Sequence, residues 1–273
     1  MGPLLALASA VCYGIVDFTG GLLSRRAHFA AVTFLGQVGG LLLATSAALF
    51  LSADAVRPVD LLWGALSGVG SGAAMHFLNR GLSHGAMSVV VPVSAVTGVG
   101  LSVVCGVLLG DRPTAVAWLG IVLSVPALWM VCGGGTDDGA GVPDGLLASA
   151  GVALQYIALA QAGAAGGLWP VAAGRVAAVL VLLPAAARNP RRLRLPPVRA
   201  LQAVLVGAGA ALGLILYLLA AQRQLLAVAV VLASLYPALP VILGLALLHE
   251  RLSRKQVVGL AGAGVATVLL SLG

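Results

Sequence analysis

A chain of 273 residues that is 60% hydrophobic and only 8% charged, with mean hydropathy +1.09, cannot cover a globular surface in water, where roughly 25% of residues are charged. The composition excludes a soluble domain and points to an all-α polytopic membrane protein. The net charge of +7 is no argument for nucleic acid, because the arginines sit in short loops between apolar spans, where bilayer topology puts them.

The first apolar run, Gly2–Leu22, has no basic segment ahead of it, so it reads as a membrane helix and not as a cleaved leader. A turn with Arg25, Arg26 and His28 follows. Helix 2 is expected over Phe29–Leu51, helix 3 over Leu61–Arg80, helix 4 over Ala86–Leu109 and helix 5 over Thr114–Val131. The stretch Gly133–Asp144 is rich in Gly and acid and reads as a linker between two halves, 1–132 and 145–273. Helix 6 is expected over Gly145–Ala162, helix 7 over Leu168–Ala187, helix 8 over Ala200–Gln222, helix 9 over Leu225–Leu248 and helix 10 over Arg254–Leu272. Cys12, Cys105 and Cys132 all fall inside spans at spacings that suit neither disulfides nor a metal. No catalytic constellation or phosphate-binding loop is present, so neither an enzyme nor a cofactor is expected.

The halves repeat. Gly36-Gln37-Val38 aligns with Gly174-Arg175-Val176, Gly68-Val69-Gly70 with Gly207-Ala208-Gly209, Asp111-Arg112 with Glu250-Arg251, and Gly120 with Gly259. Each pair is separated by 138 or 139 positions. An odd number of spans per repeat makes the two halves enter the bilayer from opposite sides, an arrangement typical of alternating-access transporters.

The stretch LYPALPVILGLALLHERLSRKQVVGLAGAGV, with its Glu250-Arg251-Leu252 turn, resembles the end of an EamA domain of the drug/metabolite transporter superfamily. Asp111-Arg112-Pro113 is similar to the same turn, Tyr13-Gly14 to the aromatic-Gly pair of the family's first helix, and Arg175 to its basic residue early in the second helix. Gln37 stands at that basic position in the first half, a departure from the pattern. The resemblance implies a ten-helix, two-repeat bundle in the cytoplasmic membrane that moves a small metabolite through a central cavity, often outward. A lipid flippase and a non-transporting scaffold are the alternatives.

Asp17 is the one acid well inside an expected span. Placing a carboxylate there costs about 2.5–3.5 kcal/mol, so it is expected to face a pathway, with protons as the possible coupling ion, or else to form a local ion pair. Arg175 needs an acid, carbonyls or an anionic substrate, and Asp17 is the intramembrane acid on offer. His76 and Asn79 share a face of helix 3. With Gln37, Gln155, Tyr156, Tyr217 and Tyr236 they make up the polar groups at depth, as substrate contacts or as interhelical hydrogen bonds. Pro92 and Pro237 are expected to bend their helices. Eleven Lys and Arg on one set of loops against three on the other favour termini outside, whereas the resemblance implies termini inside.

Overall fold

A backbone surrounded by hydrocarbon satisfies its N–H and C=O groups within a helix, so apolar runs of this length fold as helices. The computed structural model describes residues 2–108, 114–132, 140–188, 190–221 and 236–272, with no strand among them. The described residues form ten helices of ten residues or more: α1 Gly2–Arg26, α2 Phe29–Phe50, α3 Pro58–His84, α4 Met87–Leu108, α5 Ala115–Cys132, α6 Val142–Ala160, α7 Trp169–Arg188, α8 Pro197–Ala221, α9 Ala238–Leu247 and α10 Arg254–Leu272. Six of them, α1, α2, α3, α6, α7 and α8, are long and apolar enough to cross a bilayer. Large apolar side chains face outward, among them Phe50, Leu62 and Trp129, as suits a lipid-facing surface.

Several helices run further than charge alone suggests. α1 continues through Arg25 and Arg26, because arginine is a good helix former and basic groups suit a helix C-terminus. α3 begins at Pro58, with proline in its first turn, and draws Asp60 into the helix. α6 begins at Val142 and takes in Asp144. Neither acid is a loop group: both are buried in first turns, where the positive end of the helix favours them. Asp60 accepts from Arg57 Nε at 2.9 Å and from the Gly163 backbone N–H at 2.8 Å. Asp144 accepts from Arg80 Nε at 2.7 Å. Pro92 lies inside α4 as expected, but Pro237 precedes the first residue of α9 and so starts that segment. The expected first half of helix 9 up to residue 235, the Asp111-Arg112-Pro113 turn and most of the linker lie outside the described residues.

The packing partners come in exchangeable pairs. α3 packs on α6 and α7, and α8 packs on α1 and α2. α4 packs on α6 as α9 packs on α1, while α2 meets α7 and α5 meets α10. Two glycine contacts follow the same exchange. A Cβ on Gly68 would overlap the carbonyl of Gly174, and a Cβ on Gly207 would overlap the carbonyl of Gly36. These four glycines are the ones that the sequence repeat aligns, and they bring α3 against α7 and α8 against α2 at backbone contact.

Candidate functional site

Between these packed helices lies a small space with a few charged and polar side chains in its lining. A cavity of about 80 Å³ is lined by Tyr13, Val16 and Asp17 of α1, by Ser71, Ala74, Met75 and Leu78 of α3, and by Ser94 of α4. Val152, Gln155 and Tyr156 of α6, Arg175 of α7, Ala210 of α8 and Tyr236 ahead of α9 complete it. A volume of this size admits a few waters or an ion, so a larger substrate needs a wider conformation.

The carboxyl group of Asp17 is buried, faces this cavity and makes no hydrogen bond or ion pair among the described residues. The guanidinium of Arg175 is held: Nη1 donates to Gln37 Oε1 at 2.9 Å and to Ser71 Oγ at 3.3 Å. Asp17 is therefore not the partner that the sequence offered to Arg175. A neutral amide and a hydroxyl take that place and leave the cavity with one carboxylate and one guanidinium that are not ion-paired among the described residues. Tyr13 and Tyr236 close one wall, with ring centroids 6.0 Å apart.

Of the residues singled out by sequence, Asp17, Gln155, Tyr156, Arg175 and Tyr236 line the cavity, and Gln37 reaches it through Arg175. Three stand elsewhere. His76 lies edge-on to Phe29 at 5.2 Å and to Phe77 at 5.4 Å. It is roughly 140° around the helix from Ser71. Asn79 is buried and donates Nδ2–H to Thr33 Oγ1 at 3.0 Å, an interhelical bond. Tyr217 is half-buried and outside the lining, about 10 Å along α8 from Ala210. Tyr13, Ser71 and Ser94 are lining residues that the sequence reading did not assign to the site. A signal for the pattern was present: Asp17 and Gln155 stand 138 positions apart, as do Gln37 and Arg175. Each of the two stretches separated by this offset thus carries one charged group and one amide at these places.

A second carboxylate is placed quite differently. α9 ends in a turn where His249 adopts φ 54° and the Glu250 N–H donates to Gly244 O at 3.2 Å. This turn aims Glu250 at the start of α4, where its carboxylate accepts from the backbone N–H of Met87 and of Ser88, both at 3.0 Å, and from Ser88 Oγ at 2.7 Å. It caps a helix of the other half, satisfying donors that a helix N-terminus leaves unpaired. Arg25 Nη2 donates to Glu250 Oε1 at 3.3 Å and to Gly85 O at 2.8 Å, and Arg25 Nε donates to Leu82 O at 3.1 Å. The ends of α1, α3 and α9 and the start of α4 are tied at one point. Desolvation pushes the Glu250 pKa up, but the hydrogen bonds from Ser88, Met87 and Arg25 outweigh it and hold the carboxyl below its ordinary value.

Among curated proteins no match is found. Fourteen chains of solved structures match. One of them, a crystal structure, is 15% identical over 98% of this chain and 95% of its own, with a TM-score of 0.62, a likeness that concerns the fold alone. The model of the EamA-like transporter family matches residues 1–133 and, a second time, residues 141–272. With nearly the whole chain covered in this way, the protein belongs to the EamA-like transporter family, and its apolar helices are those of a multi-pass membrane transporter.

Proposed function

We propose that the chain is a secondary transporter of a small polar or amphipathic metabolite, working by alternating access around the Asp17 cavity in the cytoplasmic membrane. Export is the direction that the family resemblance implies. Two inverted five-helix repeats, 1–132 and 145–273 joined by 133–144, form the frame of this reading. The exchanged contacts Gly68–Gly174 and Gly207–Gly36 support it, as do the two stretches matched by the family model. The observation that carries the functional reading is the buried Asp17 carboxylate, unpartnered among the described residues and turned into a cavity shared by six helices. A buried acid of that kind binds and releases a proton or a cationic group as the cavity changes its exposure. Arg175, fixed by Gln37 and Ser71, supplies the complementary charge for an anionic group. Gln155, Tyr156 and Tyr236 supply polar contacts on the remaining walls. A scaffold without transport is favoured by a filled core and an Asp17–Arg175 pair; the cavity, and Arg175 held by Gln37 and Ser71 among the described residues, favour transport instead.

The test is a thermal-stability screen of purified protein against small metabolites, followed by proteoliposome uptake of any that binds. A ligand raises the melting temperature of the state it binds. The expected result is a shift that Asp17→Asn abolishes, together with uptake that responds to pH in the wild type alone. Equal shifts and equal pH-dependent uptake in Asp17→Asn count against the reading.

A further inference from the structure

A larger recess lies on the outer surface, between α1 and α8. It has a volume of about 430 Å³ and is walled by Ile15, Leu22, Leu205 and Val206. Ile15 and Leu205 are exposed, so the recess opens to the surroundings of two helices that are long enough to span the bilayer. The thiol and the hydroxyl in its wall are bonded within the protein. Cys12 Sγ donates to Gly209 O at 3.1 Å, and Thr19 Oγ1 donates to Ile15 O at 2.7 Å. Leucine, isoleucine and valine walls suit hydrocarbon, and an acyl chain lying along them gains dispersion contacts.

One end of the groove is of opposite character. Arg26 and Gln202 stand at its mouth. Arg199 Nη1 donates to the Arg26 carbonyl at 2.9 Å, which fixes the Arg199 guanidinium at the end of α1. Neither arginine is ion-paired among the described residues, and the sequence contains no acid between Asp144 and Glu250. The end of α7 and the connection ahead of α8 add Arg188, Arg191 and Arg194 to the same basic segment. Clustered juxtamembrane arginines attract anionic lipid.

We propose that the α1–α8 groove is a binding site for one anionic phospholipid, its acyl chain lying along the groove and its phosphate held by Arg26 and Arg199. The site is separate from the transport pathway. Val16 lines both spaces, and Asp17 belongs to the inner one alone.

The experiment is native mass spectrometry of delipidated full-length protein titrated with phosphatidylglycerol or phosphatidylcholine. The wild type is expected to retain a single phosphatidylglycerol about tenfold more tightly than phosphatidylcholine, and the double variant R26Q/R199Q to lose that preference. Thr19→Trp, which fills the groove and leaves both arginines, is expected to expel the lipid. Asp17→Asn is expected to retain it, so the outcome stands apart from that of the transport reading. Equal retention of the two lipids, or a preference indifferent to R26Q/R199Q, would overturn the proposal. So would stabilisation by glycerol phosphate alone to the same extent, since the groove would then contribute nothing. The double variant keeps the test decisive even if Thr19→Trp does not fold.

Discussion

Two carboxylates of this protein receive opposite treatment. Glu250 is given two backbone N–H groups, a hydroxyl and a guanidinium, and with them ties four helix ends together. Asp17 is buried more deeply, with no hydrogen bond or ion pair among the described residues, and faces a cavity. A fully satisfied buried acid contributes to stability, and an unsatisfied one lowers it. The difference separates a carboxylate that holds helix ends together from one that is left without a protein partner among the described residues.

The largest expected effect comes from Asp17→Asn. Transport should fall at least about tenfold, while the melting temperature stays level or rises because an unpaired buried charge has been removed. Flux and thermal melts on the same preparation check this, and a fall in both would make Asp17 a structural acid like Glu250. Next comes Glu250→Ala, which removes a charged cap and its bonds. It should cost about 2–3 kcal/mol, with transport per folded molecule kept. Chemical unfolding in detergent measures it.

The pH response sharpens the contrast further. The folded pKa of Glu250 lies below its unfolded value of about 4.3. Its stabilisation is therefore present above that value and lost as pH falls through the lower folded one. Melting curves taken downward from pH 5 should show wild type losing more stability than Glu250→Gln; parallel curves would assign the acid sensitivity elsewhere. The smallest effect belongs to Asn79→Ala, which removes a bond to Thr33 worth about 0.6 kcal/mol and should leave transport unchanged. Loss of flux in that variant would return Asn79 to the pathway.

The helical architecture was legible because apolar run length is a property of the sequence itself. The helix ends were less so. Charge at Arg25, Arg26, Asp60 and Asp144 reads as a stop, yet these groups continue helices, with Arg25, Asp60 and Asp144 finding partners distant in sequence. The rare intramembrane charges Asp17 and Arg175 stand out in the sequence, and both line the cavity. Ser71 and Ser94 do not stand out, since a serine in an apolar span has no distinguishing chemistry until its face is known. His76 and Asn79 share a face in the sequence, but His76 stands about 140° around α3 from Ser71, and Asn79, one turn beyond Met75, is bonded to Thr33. The role of Glu250 was visible as a family mark and invisible as a cap, because its partners begin 162 residues earlier in the chain.

The contact between Gln37 and Arg175 has a consequence for descent. The two are aligned positions of the repeat, so the residue at this place in one half touches its own counterpart in the other. A chain made by joining two identical copies, with arginine in both, would press guanidinium against guanidinium at mid-bundle. An amide in place of one arginine, accepting from the other, removes that repulsion. At a position that faces its own counterpart, unlike residues in the two halves are the stabler choice.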